Sequence, residues 1–165
     1  MQQSRIFFKE QFPYLSESDL DELLSLATVR NLQSGDIFIE AGEFTHNSAV
    51  VVSGMLRNYH TTSNGDEKTV LFTTEGESAL SYASVFLGQP SADSIVAAED
   101  AVILVSDHRE IKALAKHNPR IAQMINEKLE KRLVETIWRI DDFTLRTPEQ
   151  RSMRFLDEKP ELVER

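Results

Sequence analysis

Apolar positions change their spacing twice along the 165 residues, and each change marks a change of element. Near the start, Ser16 is placed to cap a helix with Asp19 three residues on, and Leu20, Leu23, Leu24 and Ala27 follow at helical spacing. From Thr28 the pattern becomes short runs of β-branched and aromatic residues, such as Asp36-Ile37-Phe38-Ile39-Glu40 and Ala49-Val50-Val51-Val52, which read as strands. Residues 58–73 carry Asn64-Gly65-Asp66 between two such runs and predict a hairpin, because Asn and Gly tolerate positive φ.

All six glycines fall at positions 35, 42, 54, 65, 76 and 88, so tight turns recur through this half alone. Short strands with regular turns predict an antiparallel sandwich or barrel.

Helical spacing returns after Ala101-Val102-Ile103-Leu104-Val105. Asp107 is placed to cap a helix carrying Ile111, Leu114 and Ala115. Asn118-Pro119 interrupts it, and Pro119 suits the first turn of a second helix that meets no proline or glycine until Thr147-Pro148.

Along that helix Ile121, Ile125, Leu129, Leu133, Ile137 and Ile140 form one apolar stripe, while Val134, Trp138 and Leu145 form a displaced one. Two stripes need two partners. One is the chain's own β-domain and the other is the same helix of a second subunit, unless both pack within the monomer. Thr147-Pro148-Glu149-Gln150 is a capping box opening a last short helix through Phe155 and Leu156, ending near Lys159-Pro160. The division expected is residues 1–118 for the first helix, β-domain and short helix, 119–146 for the long helix, and 147–165 for a connection.

Composition then narrows the function. Apolar residues at 41% and charged residues at 27% are ordinary for a folded domain. No apolar stretch approaches the roughly 20 residues of a membrane helix, and residues 1–10 lack a signal-peptide core, so a cytoplasmic location without membrane contact is expected. Without cysteine there is no disulfide, thiolate metal site or cysteine nucleophile. The net charge of -9 opposes broad contact with nucleic acid.

The order of elements, with Gly35-Asp36-Ile37-Phe38-Ile39-Glu40-Ala41-Gly42-Glu43, Gly54 before Leu56-Arg57, Gly65 before Glu67, and Gly76, resembles the Crp/Fnr family of transcription regulators. The likeness runs over residues 15–156. It implies a mainly β fold with α elements, a double-stranded β-helix or jelly-roll of the cyclic-nucleotide-binding type, with an N-terminal helix, a short helix, a long dimerisation helix and a further short helix. It also implies a homodimer through the long helix, and DNA contact only through a helix-turn-helix domain that follows the last helix in the family and is missing from this chain.

In the cyclic-nucleotide-binding branch of that family, a Gly-Glu pair holds the ribose and an Arg followed by Ser or Thr neutralises the cyclic phosphate. The resemblance puts the carboxylate position at Ser81 and the arginine position at Ala92 or Asp93, so both charges are missing. Residues 69–107 contain no Lys, Arg or His, while Glu75, Glu77, Asp93, Glu99, Asp100 and Asp107 are all acidic. Burying an anion without a counter-charge costs several kcal/mol, on the order of a thousandfold in affinity.

A phosphate would then depend on backbone amides of a short helix at 84–87, or on a cation from outside such as Arg57 or Lys68 or the partner's long helix. The polar groups left, Ser81, Ser84, Ser91 and Ser94 with Tyr82 nearby, suit a neutral hydrogen-bonding effector, or else simply cap turns. No cofactor is expected and the effector is unknown.

The main expectation is the sensor and dimerisation module of a Crp/Fnr-type regulator. A stand-alone module binding cyclic AMP or cyclic GMP is the alternative. A metal-dependent cupin enzyme is less favoured, because His46, His60, His108 and His117 are scattered and form no His-x-His pair. There is no Gly-x-Ser-x-Gly elbow and no phosphate-cradling Walker loop, so an enzyme is not expected.

Overall fold

The computed structural model describes residues 2–158. Two helices open the chain, α1 (Gln2–Gln11) and α2 (Glu17–Ser25). Eight strands follow: β1 (Ala27–Leu32), β2 (Ile37–Ile39), β3 (Asn47–Ser53), β4 (Leu56–Thr61), β5 (Glu67–Thr73), β6 (Ser78–Leu80), β7 (Ser94–Ala97) and β8 (Ala101–Asp107). A short π-turn, Ala83–Leu87, lies between β6 and β7. Helices α3 (His108–His117), α4 (Pro119–Leu145) and α5 (Pro148–Glu158) complete the described chain.

The strands form two four-stranded antiparallel sheets in the orders β1-β8-β3-β6 and β2-β7-β4-β5. This is the expected jelly-roll. Each sheet turns one face inward: Leu32, Val51, Ala79 and Ile103 from one meet Phe38, Ile39, Leu56 and Ile95 from the other in a single apolar core.

Local chemistry accounts for where the elements begin. Ser16 Oγ accepts from the Asp19 amide at 3.2 Å, while the Asp19 carboxylate accepts from the Ser16 amide at 2.7 Å. That is the capping box expected of α2. The stripe read through Ala27 stops short of it, because α2 ends at Ser25 and Ala27 opens β1, where pairing with Ser106 draws the β-branched run Thr28-Val29 into the sheet. The helix α1, not signalled by any cap, forms on aromatic residues, with Phe8 and Phe12 buried.

Asn64-Gly65 makes the expected turn between β4 and β5, with the Thr62 amide donating to the Asp66 carbonyl at 2.8 Å. Gly54 serves a tighter purpose. Its φ is +86°, and a Cβ there would lie 2.3 Å from the Asp100 carbonyl oxygen, so only glycine lets β3 turn into β4 against that loop.

The described residues fall into two compact units that divide between Met124 and Ile125. In the first, Asp19 is buried and accepts from Asn118 Nδ2 at 2.6 Å, Arg120 Nε at 2.6 Å and Arg120 Nη2 at 3.1 Å. The Arg120 guanidinium holds its carboxyl far below the usual carboxylate range, against the opposing effect of burial. This network ties the first turn of α4 to α2.

In the second unit, Thr147 and Gln150 exchange the bonds of the expected capping box at 3.3 and 3.0 Å. Asp142 of α4 takes Arg154 of α5 at 2.7 Å. The expected end of that helix at Lys159-Pro160 and the residues after it lie outside the described chain. No described helix is long and apolar enough to cross a membrane.

Candidate functional site

The loop from β6 to β7 folds around its serines. Ser81 is buried, and its Oγ accepts from the Ser84 amide at 3.3 Å. Ser84 Oγ donates to the Gln89 carbonyl at 2.7 Å and accepts from the Thr45 amide at 3.4 Å. Ser91 Oγ donates to the Asp93 carbonyl at 2.7 Å, and Ser94 Oγ accepts from the Ala41 amide at 2.9 Å. Each hydroxyl thus satisfies a backbone group that the loop would otherwise bury unpaired.

These bonds stitch 81–94 to the loop before β3, reinforced by the Gly42 amide on the Ser91 carbonyl and the Ser91 amide on the Glu43 carbonyl, both 2.8 Å. Ala83–Leu87 form a single π-turn closed by Gly88 at φ +62°.

Tyr82 is partly exposed and stacks on Phe86 with ring centroids 5.9 Å apart. Phe86 in turn meets the edge of His108 at 5.2 Å. Burial lowers the His108 pKa, and Lys112 adds to that effect against Asp107. Leu87, next to Phe86 in sequence, is exposed.

The positions that the resemblance gives to the ribose and phosphate contacts have other bonds: Ser81, at the carboxylate position, accepts from the Ser84 amide. Glu77, the acidic residue directly after Gly76, accepts from the Thr74 amide at 2.8 Å and closes a turn. Ala92 is exposed, and its carbonyl meets His60 Nδ1 at 2.8 Å. Asp93 accepts from Asn58 Nδ2 at 2.7 Å.

Two of the outside cations, Arg57 and Lys68, can be placed. Alternation along β4 buries Leu56 and Asn58 and turns Arg57 to the opposite face. There Arg57 pairs with Glu67 and lies 4.4 Å from the Tyr59 ring centroid. Lys68 is exposed on β5.

Asn58 is the residue that sequence reasoning missed. Its signal was an amide on the inward register of Leu56-Arg57-Asn58, where an apolar residue would be ordinary. The β4–β5 ladder shifts register just after it, between Asn58 and Tyr59, as strands do where a side chain is re-aimed. Asn58 Oδ1 and Thr73 Oγ1 are the two buried side-chain polar atoms without a partner among the described residues.

The apolar positions of α4 separate into three groups around the helix. Residues spaced by four advance by about 40° per step at about 100° per residue, so the run from Ile121 winds round the helix. Ile121 is fully buried in the first unit beside Met124, and Ile125 is half-buried. Leu129, Leu133, Ile137 and Ile140 share an arc of about 80° and are exposed. Val134, Trp138 and Leu145 lie on a third flank, also exposed. Among the described residues no group of His, Asp or Glu is placed to hold a metal ion.

Residues 29–118 match the family described as cyclic nucleotide-binding domain. No curated protein sequence matches the chain. Among solved structures, the catabolite activator protein of Thermus thermophilus is 26% identical with a TM-score of 0.66, over 81% of this chain and 62% of that one. The chain therefore spans less than two thirds of that protein.

The sensor domain of the transcriptional regulator DNR from Pseudomonas aeruginosa is 25% identical with a TM-score of 0.65, covering 82% of this chain and 91% of that one. The c-di-GMP responsive global regulator CLP of Xanthomonas campestris shares the fold at 15% identity, with a TM-score of 0.71 over 87% of this chain and 72% of that one.

Proposed function

Because the chain belongs to the cyclic nucleotide-binding domain family and has the fold of Crp/Fnr-type regulators, we propose that it is the sensor and dimerisation module of such a regulator. Its effector differs in charge from a cyclic nucleotide. The observation that carries the dimer is the exposed arc of Leu129, Leu133, Ile137 and Ile140 on α4. Four large aliphatic side chains in a seam of that width are suited to a matching seam on a second copy.

The pocket reading rests on the absence of any cation in 69–107 and on the outward turn of Arg57. DNA contact belongs to a part of the regulator other than these residues, whose charge of -9 repels a polyanion. The ordinary roles of a sensor, to bind a small molecule and bias a dimer, require no catalysis.

Light scattering at micromolar concentration tests the proposal. A dimer is expected for the natural sequence, and Leu133→Asp with Ile137→Asp should return a folded monomer. A monomeric natural chain overturns the dimerisation role. Calorimetry with cyclic AMP and cyclic GMP tests the pocket, and micromolar binding of either would favour the stand-alone cyclic-nucleotide module instead.

A further inference from the structure

Asn64-Gly65, the turn between β4 and β5, is also a reactive pair. The chain has six asparagines, and Asn64 alone is followed by glycine. An asparagine Cγ lies within reach of the next residue's backbone nitrogen, where closure gives a five-membered ring. A side chain on that next residue hinders the approach, and glycine has none. The other asparagines sit in settings that oppose the reaction. Asn58 is buried, and Asn118 is followed by Pro119, which has no amide proton. Asn31 and Asn126 lie inside β1 and α4, and Ser48 after Asn47 belongs to β3, paired on both sides by β6 and β8.

The Gly65 amide donates to the Thr62 carbonyl at 2.9 Å, which makes a turn centred on Ser63 and Asn64, and Gly65 follows at φ +87°. Residues 63–66 are exposed, and so are the first four residues of β5. Nothing lies within 4 Å of where a Gly65 Cβ would stand. A tip with so little packing opens locally at small cost, so the hydrogen bond on the Gly65 nitrogen slows its reaction by no more than about tenfold.

We infer that Asn64 is a site of spontaneous covalent modification, in which the Gly65 nitrogen closes an imide on the Asn64 side chain. The nitrogen gives its proton to water and bonds to Asn64 Cγ, the Cγ–Nδ2 bond breaks, and Nδ2 leaves as ammonia. Water then opens the ring at one of its two carbonyls. Breaking the new bond to Cγ leaves aspartate on the original backbone. Breaking the old peptide bond leaves isoaspartate, with the chain routed through the side chain. Nothing is oxidised or reduced, and water is the co-reactant.

Either product puts a further carboxylate beside Asp66 and Glu67. Isoaspartate also lengthens the backbone by one carbon, inside a turn closed by the Thr62 amide on the Asp66 carbonyl at 2.8 Å. Next to that turn His60 pairs with Lys68, and His60 Nδ1 meets the Ala92 carbonyl of the β6–β7 loop at 2.8 Å. The modification therefore falls on the hairpin that touches the site loop.

The test keeps the full chain for weeks at mildly alkaline pH in water labelled with heavy oxygen, so that conversion during later digestion is not counted. Peptide mapping with fragmentation that separates isoaspartate from aspartate follows. Both products should appear at Asn64, at least tenfold faster than any change at Asn47. An intact Asn64, a rate no faster than that of Asn47, or aspartate without isoaspartate overturns the inference. Hydrogen exchange reads the consequence: the Thr62 amide should exchange at least tenfold faster in the isoaspartate fraction than in Asn64→Asp, which adds the charge without the extra carbon. Equal exchange in the two would overturn the claim that the modification disturbs the hairpin.

Discussion

Ile103 and Ile137 are the same residue in one chain, the first without exposed surface in β8 and the second 48% exposed in α4. The difference lies in what each element can reach. A sheet in the roll faces another sheet, so Ile103 finds partners supplied by the same fold. The helix α4 has polar bonds to α5, such as Asp142 with Arg154, yet its aliphatic arc stays exposed among the described residues. One region buries its aliphatic residues within the chain, and the other leaves them exposed, which is the basis of the dimer proposed above.

Substitutions can break that contrast. The largest effect is expected from Gly54→Ala, where a Cβ would meet the Asp100 carbonyl and the Ala101 backbone at a φ of +86°. Left-handed backbone and overpacking together should cost about 3 kcal/mol of unfolding free energy, read by denaturant titration. Asp19→Ala should come next, at about 2 kcal/mol, because it removes the carboxylate half of the α2 capping box and the acceptor of Asn118 and Arg120. An Asp19→Ala chain melting like the natural one would mean the network is incidental.

Ile137→Ser should change the stability of the β-roll by under about 0.5 kcal/mol, yet weaken self-association measured by sedimentation. A large loss of roll stability would show that the contrast between the two regions is false.

The smallest effect concerns pH. His108 has a lowered pKa, caused first by burial. The neutral ring is therefore favoured on folding, its contribution is present above the ordinary value of 6.5, and it fades as pH falls through the lower folded value. Asp107, held down to about 2 by Arg109, adds a second loss between 3.8 and about 2. Melting curves from pH 7 to 5 should decline slightly, and His108→Phe should flatten that first decline.

Much of the fold was legible because caps and turns are local chemistry. Ser16 with Asp19, Asn64-Gly65, Pro119 and Thr147 with Gln150 each announce an element within four residues of chain. The helix α1 was not legible, since Phe8 within it and Phe12 just after it are buried by packing and no capping residue precedes it. Nor was the winding of the α4 stripe, which a list of apolar positions spaced by four conceals until its angle is followed.

At the site, the lack of cations could be read directly, because it is a property of composition. The bonding of the serines could not. Ser84 reaches Thr45 and Ser94 reaches Ala41 across the fold, and such partners are decided by topology. Asn58 was hidden for the same reason: whether an amide on a strand faces in or out depends on register, and the register shifts beside it.

The strand order also governs how the chain is made. β1 pairs only with β8 and β2 only with β7, so Ala27 waits for Ser106 and Ile37 for Val96. Synthesis from the N-terminus therefore releases two strands long before either can be bonded, while the β4–β5 hairpin forms as soon as it emerges. Until β7 and β8 arrive, both early strands offer free edges to any neighbouring chain, and the nascent protein is at its most adhesive just before the roll closes.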